Sequence, residues 1–212
     1  MISLLRGFRR KWWLSRLRAK EWQTLAELGP DGEYVSVDCE TTGLDPKTAE
    51  ILSVGAIKIR NDRILTSERL DFLVKPSKGF SEALIKIHHL RPIDVADGIE
   101  VKEAMCRVLE FLGPRPLVGY FLQFDVAMLN KYVRPMLGVG LPNERIEVSS
   151  LYYDWRSRRV PPGANIDLRF ETIRTNLDLP RRAAHDAFND ALLTAMMYLR
   201  LKGGWEPQAQ RR

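Results

Sequence analysis

Two carboxylates, Asp38 and Glu40, end an apolar run in the stretch YVSVDCETTGL. Because side chains alternate along a β-strand, both carboxylates are expected to point to the same face of that run. Two neighbouring anions at the edge of a hydrophobic element repel each other and lose hydration unless a cation lies between them. Cys39 would point to the opposite face and pack in the core as a small apolar side chain.

Two further acids stand at the edges of apolar segments. Asp125 lies in LVGYFLQFDVAML, where a strand pattern changes into a helical pattern. Asp190 lies early in the apolar helical pattern of HDAFNDALLTAMMYL, and His185 precedes it by five residues. Taken singly, an acid at the start of a helix is usually a cap or a partner of the helix dipole. Four such acids, with no matching set of buried Lys or Arg, predict bound cations.

Oxygen donors with few histidines favour Mg²⁺ or Mn²⁺ over a structural zinc ion. Two such ions about 4 Å apart could share Asp38 and stabilise both the attacking and the leaving oxygens of a phosphodiester. His185 is then the expected general base, because its ordinary pKa of about 6.5 suits proton removal from water near neutral pH. Considered alone, His185 is more often a surface histidine.

The elements that must position these residues follow from the apolar patterns. Three β-rich runs, 34–37, 51–59 and 64–74, predict an antiparallel start, with a hairpin at Asn61-Asp62. Short strands at 117–120 and 146–148 then alternate with helical patterns, which predicts an α/β sandwich around a mixed sheet. The helical patterns span 81–87, 100–112, 124–133, 166–175 and 187–202.

Composition sets the class of protein and hardly constrains the substrate. With 45% hydrophobic and 28% charged residues, the chain has an ordinary globular composition. The net charge of +6 is already contained in residues 1–22, so the remainder is neutral overall. Two cysteines are too few for a disulfide framework and predict reduced thiols and a cytoplasmic location. No apolar run approaches the roughly 20 residues of a membrane-spanning helix.

The chain is predicted to divide into a basic amphipathic segment at 1–30, one globular domain at 31–203 and a short tail at 204–212. In the first segment, Leu5, Phe8, Trp12 and Leu17 recur at near-helical spacing among cations. A basic helix of this kind suits an anionic membrane surface, nucleic acid or a partner protein. The alternative is an amphipathic helix packed on the domain with its cations in solvent.

The motifs resemble those of a known family. VDCETTGL, LVGYFLQFDVAML and HDAFNDALLTA resemble the three motifs of the DnaQ-like 3′-5′ exonucleases of the DEDD superfamily. The interval of five residues between His185 and Asp190 matches the histidine branch of this family. The tyrosine branch would require tyrosine at position 186, which is aspartate here. The resemblance covers about residues 34–201.

The resemblance implies a ribonuclease H-like, mixed five-stranded sheet flanked by helices. It implies that Asp38 contacts both of two Mg²⁺ or Mn²⁺ ions, that Glu40 and Asp190 complete one metal site, and that Asp125 supports the other. His185 would deprotonate the attacking water, which releases a nucleoside 5′-monophosphate from a 3′ end.

The resemblance also implies a pocket for the terminal nucleotide of single-stranded DNA or of another 3′ end. Thr41, Thr42, Gly43 and Leu44 would hold this nucleotide, and Leu44 would contact its base. In the segment IHHL, His88 would lie near the terminal phosphate or sugar, and Phe124 could line the pocket or belong to the core. Two places depart from the family pattern. His89 stands where the family usually has glycine, and Tyr120 and Phe121 stand where His-Asn is common.

Three functions remain open from the sequence. The first is proofreading or repair of DNA, as in the epsilon subunits that the chain resembles, with a polymerase subunit or an anionic membrane as partner of residues 1–22. The second is trimming of RNA 3′ ends, in the manner of oligoribonucleases or RNase T. The third is a non-catalytic binding module, which predicts a damaged acidic set, whereas all five motif residues are present.

Overall fold

The computed structural model describes residues 2–78, 90–182 and 186–204. Five strands form one mixed sheet in the order β3-β2-β1-β4-β5. The first three pair antiparallel, while β4 and β5 run parallel to β1. Their bounds are β1 Glu33–Thr41, β2 Ile51–Arg60, β3 Arg63–Leu73, β4 Leu117–Gly119 and β5 Arg145–Glu147. The predicted fold class, a mixed five-stranded sheet flanked by helices, is confirmed.

A tight turn joins β2 to β3, as the sequence predicts. Arg60 pairs with Arg63 across it, and Asn61 and Asp62 have φ values of +48° and +62°. Positive φ at both central residues is the conformation of a type I′ turn, which matches the right-handed twist of paired strands. Asn and Asp tolerate this conformation better than most residues, which explains the local sequence.

The described residues contain seven α-helices and one 3₁₀-helix. The α-helices are α1 Ile2–Arg16, α2 Pro92–Ala96, α3 Val101–Leu112, α4 Leu122–Leu137, α5 Val148–Ser157, α6 Phe170–Asn176 and α7 Ala187–Lys202, and the 3₁₀-helix spans Lys20–Ala26. Helix α7 has the predicted bounds. Helix α4 extends beyond the predicted 124–133 at both ends, and α6 begins at Phe170 instead of 166. The helix predicted at 81–87 lies outside the described residues.

Helix α5 is absent from the sequence prediction. Its sequence, VSSLYYDWRS, is rich in residues of middling helix propensity, so local preference does not indicate a helix. Val148, Tyr152 and Trp155 are nevertheless buried at helical spacing. The Glu147 side chain also accepts a hydrogen bond from the Ser149 N–H at the start of the helix. Tertiary packing and a cap therefore form this helix in the absence of strong local propensity.

The hydrophobic core lies on both faces of the sheet. One part packs α3 and α4 against β1, through residues such as Val35, Leu109 and Leu129. The other packs α7 and α5 against the second face, through residues such as Ile57 and Tyr152. Because β1 lies in the middle of the sheet, its side chains meet helices on both faces.

Helix α1 packs on the domain. Trp13 is buried, and its indole N–H donates a hydrogen bond to the Gly140 carbonyl oxygen at 2.7 Å. Leu17 is buried as well, whereas Phe8 and Trp12 remain 71% and 47% exposed. Of the four apolar residues noted in the sequence, Leu17 is therefore on the face that contacts the domain, Phe8 and Trp12 are not, and the side chain of Leu5 lies outside the described part. None of the described helices is both long enough and apolar enough to cross a membrane.

Candidate active site

The acidic site is built on the central strand. Asp38 pairs with Gly55 of β2, and Glu40 pairs with Ser53. Both carboxyl residues are half-buried, while Cys39 between them is buried on the opposite face. The predicted alternation of this motif is confirmed, and burial raises the pKa of the Cys39 thiol well above its usual value. Cys39 therefore stays a neutral core residue.

Gly55 allows helix α7 to approach the sheet. A Cβ atom at position 55 would lie 2.2 Å from the carbonyl carbon and oxygen of Ala187 and from the N atom of Phe188. The first turn of α7 therefore lies directly on the backbone of β2, beside the residue that pairs with Asp38. Further along, the Ser36 hydroxyl donates a hydrogen bond to the Ala191 carbonyl oxygen at 2.8 Å. Only glycine permits so close a contact.

This approach brings Asp190, in the first turn of α7, to the two carboxylates of β1. Asp38, Glu40 and Asp190 each offer a carboxylate oxygen, and these three oxygens lie within 4.8 Å of one another. A strand and a helix that are far apart in the sequence thus supply three acids to one place. The grouping expected from the motifs is present for these three residues.

Asp125 reaches the same region from the other face of β1. It lies in the first turn of α4, is 4% exposed, and accepts a hydrogen bond from the Cys39 N–H through Oδ1 at 3.0 Å. Besides an N–H group of its own helix, this carboxylate also binds the backbone of the acidic motif, which a simple helix cap would not do. Asp125 lies next to the group of three, and its charge acts on Asp38.

Burial and mutual repulsion govern the ionisation of these acids. Burial raises the pKa of Asp38 well above its usual value, and the charges of Asp125, Asp190 and Glu40 add to the effect. Burial, followed by repulsion from Asp190, raises the pKa of Glu40 to about 7. Burial also raises the pKa of Asp125, although backbone hydrogen bonds oppose the shift. The cluster is therefore unfavourable as a set of bare anions.

The donor set fits a hard divalent cation. The group of three contains carboxylates alone, which suits Mg²⁺ or Mn²⁺ better than zinc. Positive charge between the carboxylates would offset the repulsion that raises their pKa values. Asp38, Glu40 and Asp190 are the residues placed to bind such an ion, and Asp125 is placed to contribute from the adjoining side.

The rim beyond β1 contains the residues expected around a terminal nucleotide. The Thr41 hydroxyl donates to the Gly43 carbonyl oxygen at 2.8 Å, and the Thr42 hydroxyl accepts from the Glu50 N–H at 2.8 Å. These bonds order the turn that leaves the strand. Leu44 is 88% exposed beside it, and Phe124 is half-buried and packs against the core.

Two predicted site residues, His185 and His88, lie outside the described residues. The segment 183–185 directly precedes Asp186, the N-cap of α7.

Sequence reasoning missed two acids beside the site. Asp186 accepts a hydrogen bond from the Asn189 N–H at 2.8 Å, and its charge raises the pKa values of Asp38 and Glu40. Glu147, at the end of β5, accepts hydrogen bonds from the N–H groups of Phe121 and Leu122 at 3.1 and 2.9 Å. From the sequence, Asp186 is noted only as the residue at the position where the tyrosine branch has tyrosine.

Glu147 stabilises an unusual turn next to Asp125. Phe121 has φ of +52°, in the left-handed region that large side chains rarely adopt, and its ring is 66% exposed. Such strain often accompanies a functional position. The hydrogen bonds to Glu147 compensate for this backbone geometry just before α4 begins. The feature of the sequence that pointed to this turn is Phe121, an aromatic residue where the family commonly has asparagine.

The chain matches known proteins over most of its length. The family model RNase_T, described as Exonuclease, matches residues 35–198. DNA polymerase III subunit epsilon of Aquifex aeolicus is 26% identical over 171 residues, which cover 81% of each chain. The same subunit of Rickettsia prowazekii is 28% identical over 80% of this chain and 74% of its own.

The fold is also found among solved structures. The crystal structure of E. coli exonuclease I in complex with a dT13 oligonucleotide superposes with a TM-score of 0.69 at 19% identity. The match covers 81% of this chain and 41% of that one. The zinc-bound form of an E. coli exonuclease I complex with single-stranded DNA matches with a TM-score of 0.69. At this identity the likeness establishes the fold, and this fold is the ribonuclease H-like one expected from the motifs.

Proposed function

This chain belongs to the RNase_T exonuclease family, and we propose that it is a metal-dependent 3′-5′ exonuclease acting on DNA. The observation that carries the proposal is the meeting of Asp38, Glu40 and Asp190 within 4.8 Å, with buried Asp125 beside them. A cluster of acids whose pKa values are raised by burial and by one another is typical of a functional site.

The carboxylates would hold two Mg²⁺ or Mn²⁺ ions. In the proposed arrangement Asp38 would contribute to both sites, Glu40 and Asp190 would complete one of them, and Asp125 would support the other. Bound ions of this kind stabilise the charge that develops on the attacking and leaving oxygens of a phosphodiester. The hydrogen bond from the Cys39 N–H fixes Asp125 and the acidic strand relative to each other, which preorganises the site.

Residues of the chain itself would bind the strand end and move the proton. The exposed Leu44, on the turn ordered by Thr41 and Thr42, would contact the terminal base, and Gly43 of the same turn would help to hold the terminal nucleotide. Apolar contact to a base tolerates any sequence. From the motif alone, His185 is proposed as the general base that takes the proton of the attacking water, and His88 as a contact to the terminal nucleotide.

DNA is the proposed substrate because of the relatives. Two relatives bear the name DNA polymerase III subunit epsilon, and one of the matching solved structures contains a dT13 oligonucleotide. Association with a polymerase, and a role in proofreading or repair, are proposed on the same basis. The division into a basic segment, an exonuclease domain and a tail also remains a proposal.

The test compares matched DNA and RNA oligonucleotides, single-stranded or with mismatched 3′ ends, in Mg²⁺ and in Mn²⁺. We expect release of deoxynucleoside 5′-monophosphates that stops in EDTA and in the variant Asp190→Asn. The variant Asp154→Asn, which alters an exposed acid on α5, is the matched control. Faster release from RNA would replace the DNA assignment by the RNA-trimming one. Unchanged release in Asp190→Asn would refute the site assignment.

A further inference from the structure

A large groove lies at the end of the sheet opposite to the acids. It has a volume of about 1590 Å³ and is lined by the starts of β1 and β5 and by the segment before β4. Helix α1 forms one of its walls through residues such as Phe8, Arg9 and Trp12. Asp38 and Glu40 lie towards the other end of β1, so the groove is separate from the candidate active site.

Three arginines from three elements converge on this groove. Arg9 comes from α1, Arg134 from α4 and Arg145 from β5. Burial, and then the charges of Arg9 and Arg134, lower the pKa of Arg145, so the three cations repel one another. In the part of the chain that the structure describes, no ion pair with a carboxylate involves any of them. All three residues are exposed, so solvent screens their repulsion, and an anion beside them would be attracted to all three.

Two exposed aromatic rings stand along the same wall. Phe8 and Trp12 are four residues apart on α1, so they lie on one face of that helix. The guanidinium of Arg16 lies 4.5 Å from the centre of the Trp12 ring. Neither ring is needed to anchor the helix, because Trp13 and Leu17 are buried against the domain. The rings are therefore available to a ligand.

The groove also has acidic lining residues: Glu27, Asp31, Glu33 and Glu144. Glu33 is engaged with Arg60 at 2.6 Å and with Arg115 at 2.7 Å, which offsets its charge. Within the groove, an anionic ligand is expected beside the three arginines, where α1, α4 and β5 meet.

We propose that this arginine groove, formed by Arg9, Arg134 and Arg145, binds the backbone of single-stranded nucleic acid while bases stack on Phe8 and Trp12. Cationic groups that track phosphates beside exposed aromatic rings are the usual means of binding single strands without sequence preference. The groove is a second contact, which holds a strand while its 3′ end is at the acids. The part of the proposal that places the 3′ end of the nucleic acid at the acids rests on the proposed function.

A membrane surface fits the groove less well. An interfacial helix inserts its apolar face into the bilayer, whereas the apolar residues Trp13 and Leu17 of this segment are buried against the domain. Arg134 and Arg145 lie on the domain in a concave groove, where a flat surface has poor access to them. A flexible strand can enter such a groove.

The test measures binding of a fluorescent long oligothymidylate to the full chain by anisotropy, in EDTA, so that no hydrolysis takes place. The double variant Arg134→Gln/Arg145→Gln is compared with Lys102→Gln/Arg158→Gln, which removes two exposed cations outside the groove. Loss of two phosphate contacts should weaken binding about tenfold at moderate salt and reduce the slope of log K against log salt by about 1.4.

A second variant guards against misfolding of the first. Trp12→Ala alters an exposed ring outside the core, and the loss of one stacked base should weaken binding about tenfold. Equal losses in the groove and control pairs, or no loss in either, would overturn the proposal. So would binding of the chain to phosphatidylglycerol vesicles without any binding to the oligonucleotide. Because no reaction is measured, a failure of the proposed exonuclease activity would leave this result unaffected.

Discussion

The substitution Glu40→Gln is expected to stabilise the metal-free protein at high pH. Glu40 is half-buried beside Asp190 and Asp186, whose charges add to burial in raising its pKa to about 7. Glutamine keeps the size of the side chain and its hydrogen-bonding capacity but cannot ionise. The variant therefore removes one charge from a site where the charges repel one another.

The magnitude follows from proton linkage. In the unfolded chain Glu40 releases its proton near its ordinary pKa of 4.5, whereas in the folded chain it does so near 7. The contribution of protonated Glu40 to the free energy of unfolding is full below pH 4.5 and is lost as the pH rises to about 7. At about 1.4 kcal/mol per pH unit, ionisation of Glu40 costs about 3 kcal/mol at pH 8.

The assay is urea unfolding at pH 5 and at pH 8, in EDTA and with added Mn²⁺. In EDTA the wild type should lose stability between the two pH values, and Glu40→Gln should lose less, by up to about 3 kcal/mol. Mn²⁺ should stabilise the wild type more than the variant, because the variant lacks one ligand. Glu110→Gln, which neutralises an exposed acid on α3, should behave as the wild type. Equal pH dependence in Glu40→Gln and in the wild type would refute the reasoning.

Three further predictions address the approach of α7, the general base and the anchor of α1. Gly55→Ala should weaken Mn²⁺ binding, measured by calorimetry, because the new Cβ atom would overlap the backbone of α7. Gly43→Ala is the control, since its new Cβ atom would meet only an ordinary contact at 3.8 Å. Unaltered Mn²⁺ binding in Gly55→Ala would contradict the close approach of α7. His185→Ala should slow hydrolysis about a hundredfold with Mn²⁺ affinity retained, as for loss of a general base, and a collapse of affinity would make His185 a ligand. Trp13→Ala should lower the free energy of unfolding, measured in urea, by about 3–5 kcal/mol, whereas the exposed Trp12→Ala should change it little; equal effects would argue against the docking of α1.

Much of the fold follows from local patterns in the sequence. Three β-rich runs predict the three antiparallel strands, and the Asn61-Asp62 pair predicts the turn between β2 and β3. The apolar periodicity from Ala187 and the Gly203-Gly204 pair predict α7 with its observed bounds. The acids of the first and third motifs, Asp38, Glu40 and Asp190, also lie close together, since the edges of apolar elements are where ionised side chains require compensation.

The remaining features depend on contacts between distant segments. The role of Gly55 requires that α7 cross β2 directly above it, which no local pattern indicates. Glu147 accepts hydrogen bonds from the turn at Phe121, some 26 residues away in the sequence. Helix α5 forms because Tyr152 and Trp155 are buried beneath α7, against the weak propensity of its residues. Tertiary packing decides each of these features.

The central claim is that the carboxylates of β1 and α7 perform hydrolysis from the 3′ end of a strand. The most direct measurement follows a 5′-labelled single-stranded DNA in Mg²⁺ with the wild type, with Asp38→Asn and with the control Asp154→Asn. The account predicts products that shorten stepwise from the 3′ end with the wild type and the control. It predicts no shortening with Asp38→Asn, whose folded state is verified by circular dichroism. Cleavage by folded Asp38→Asn, or loss of the 5′ label as a mononucleotide, would contradict it.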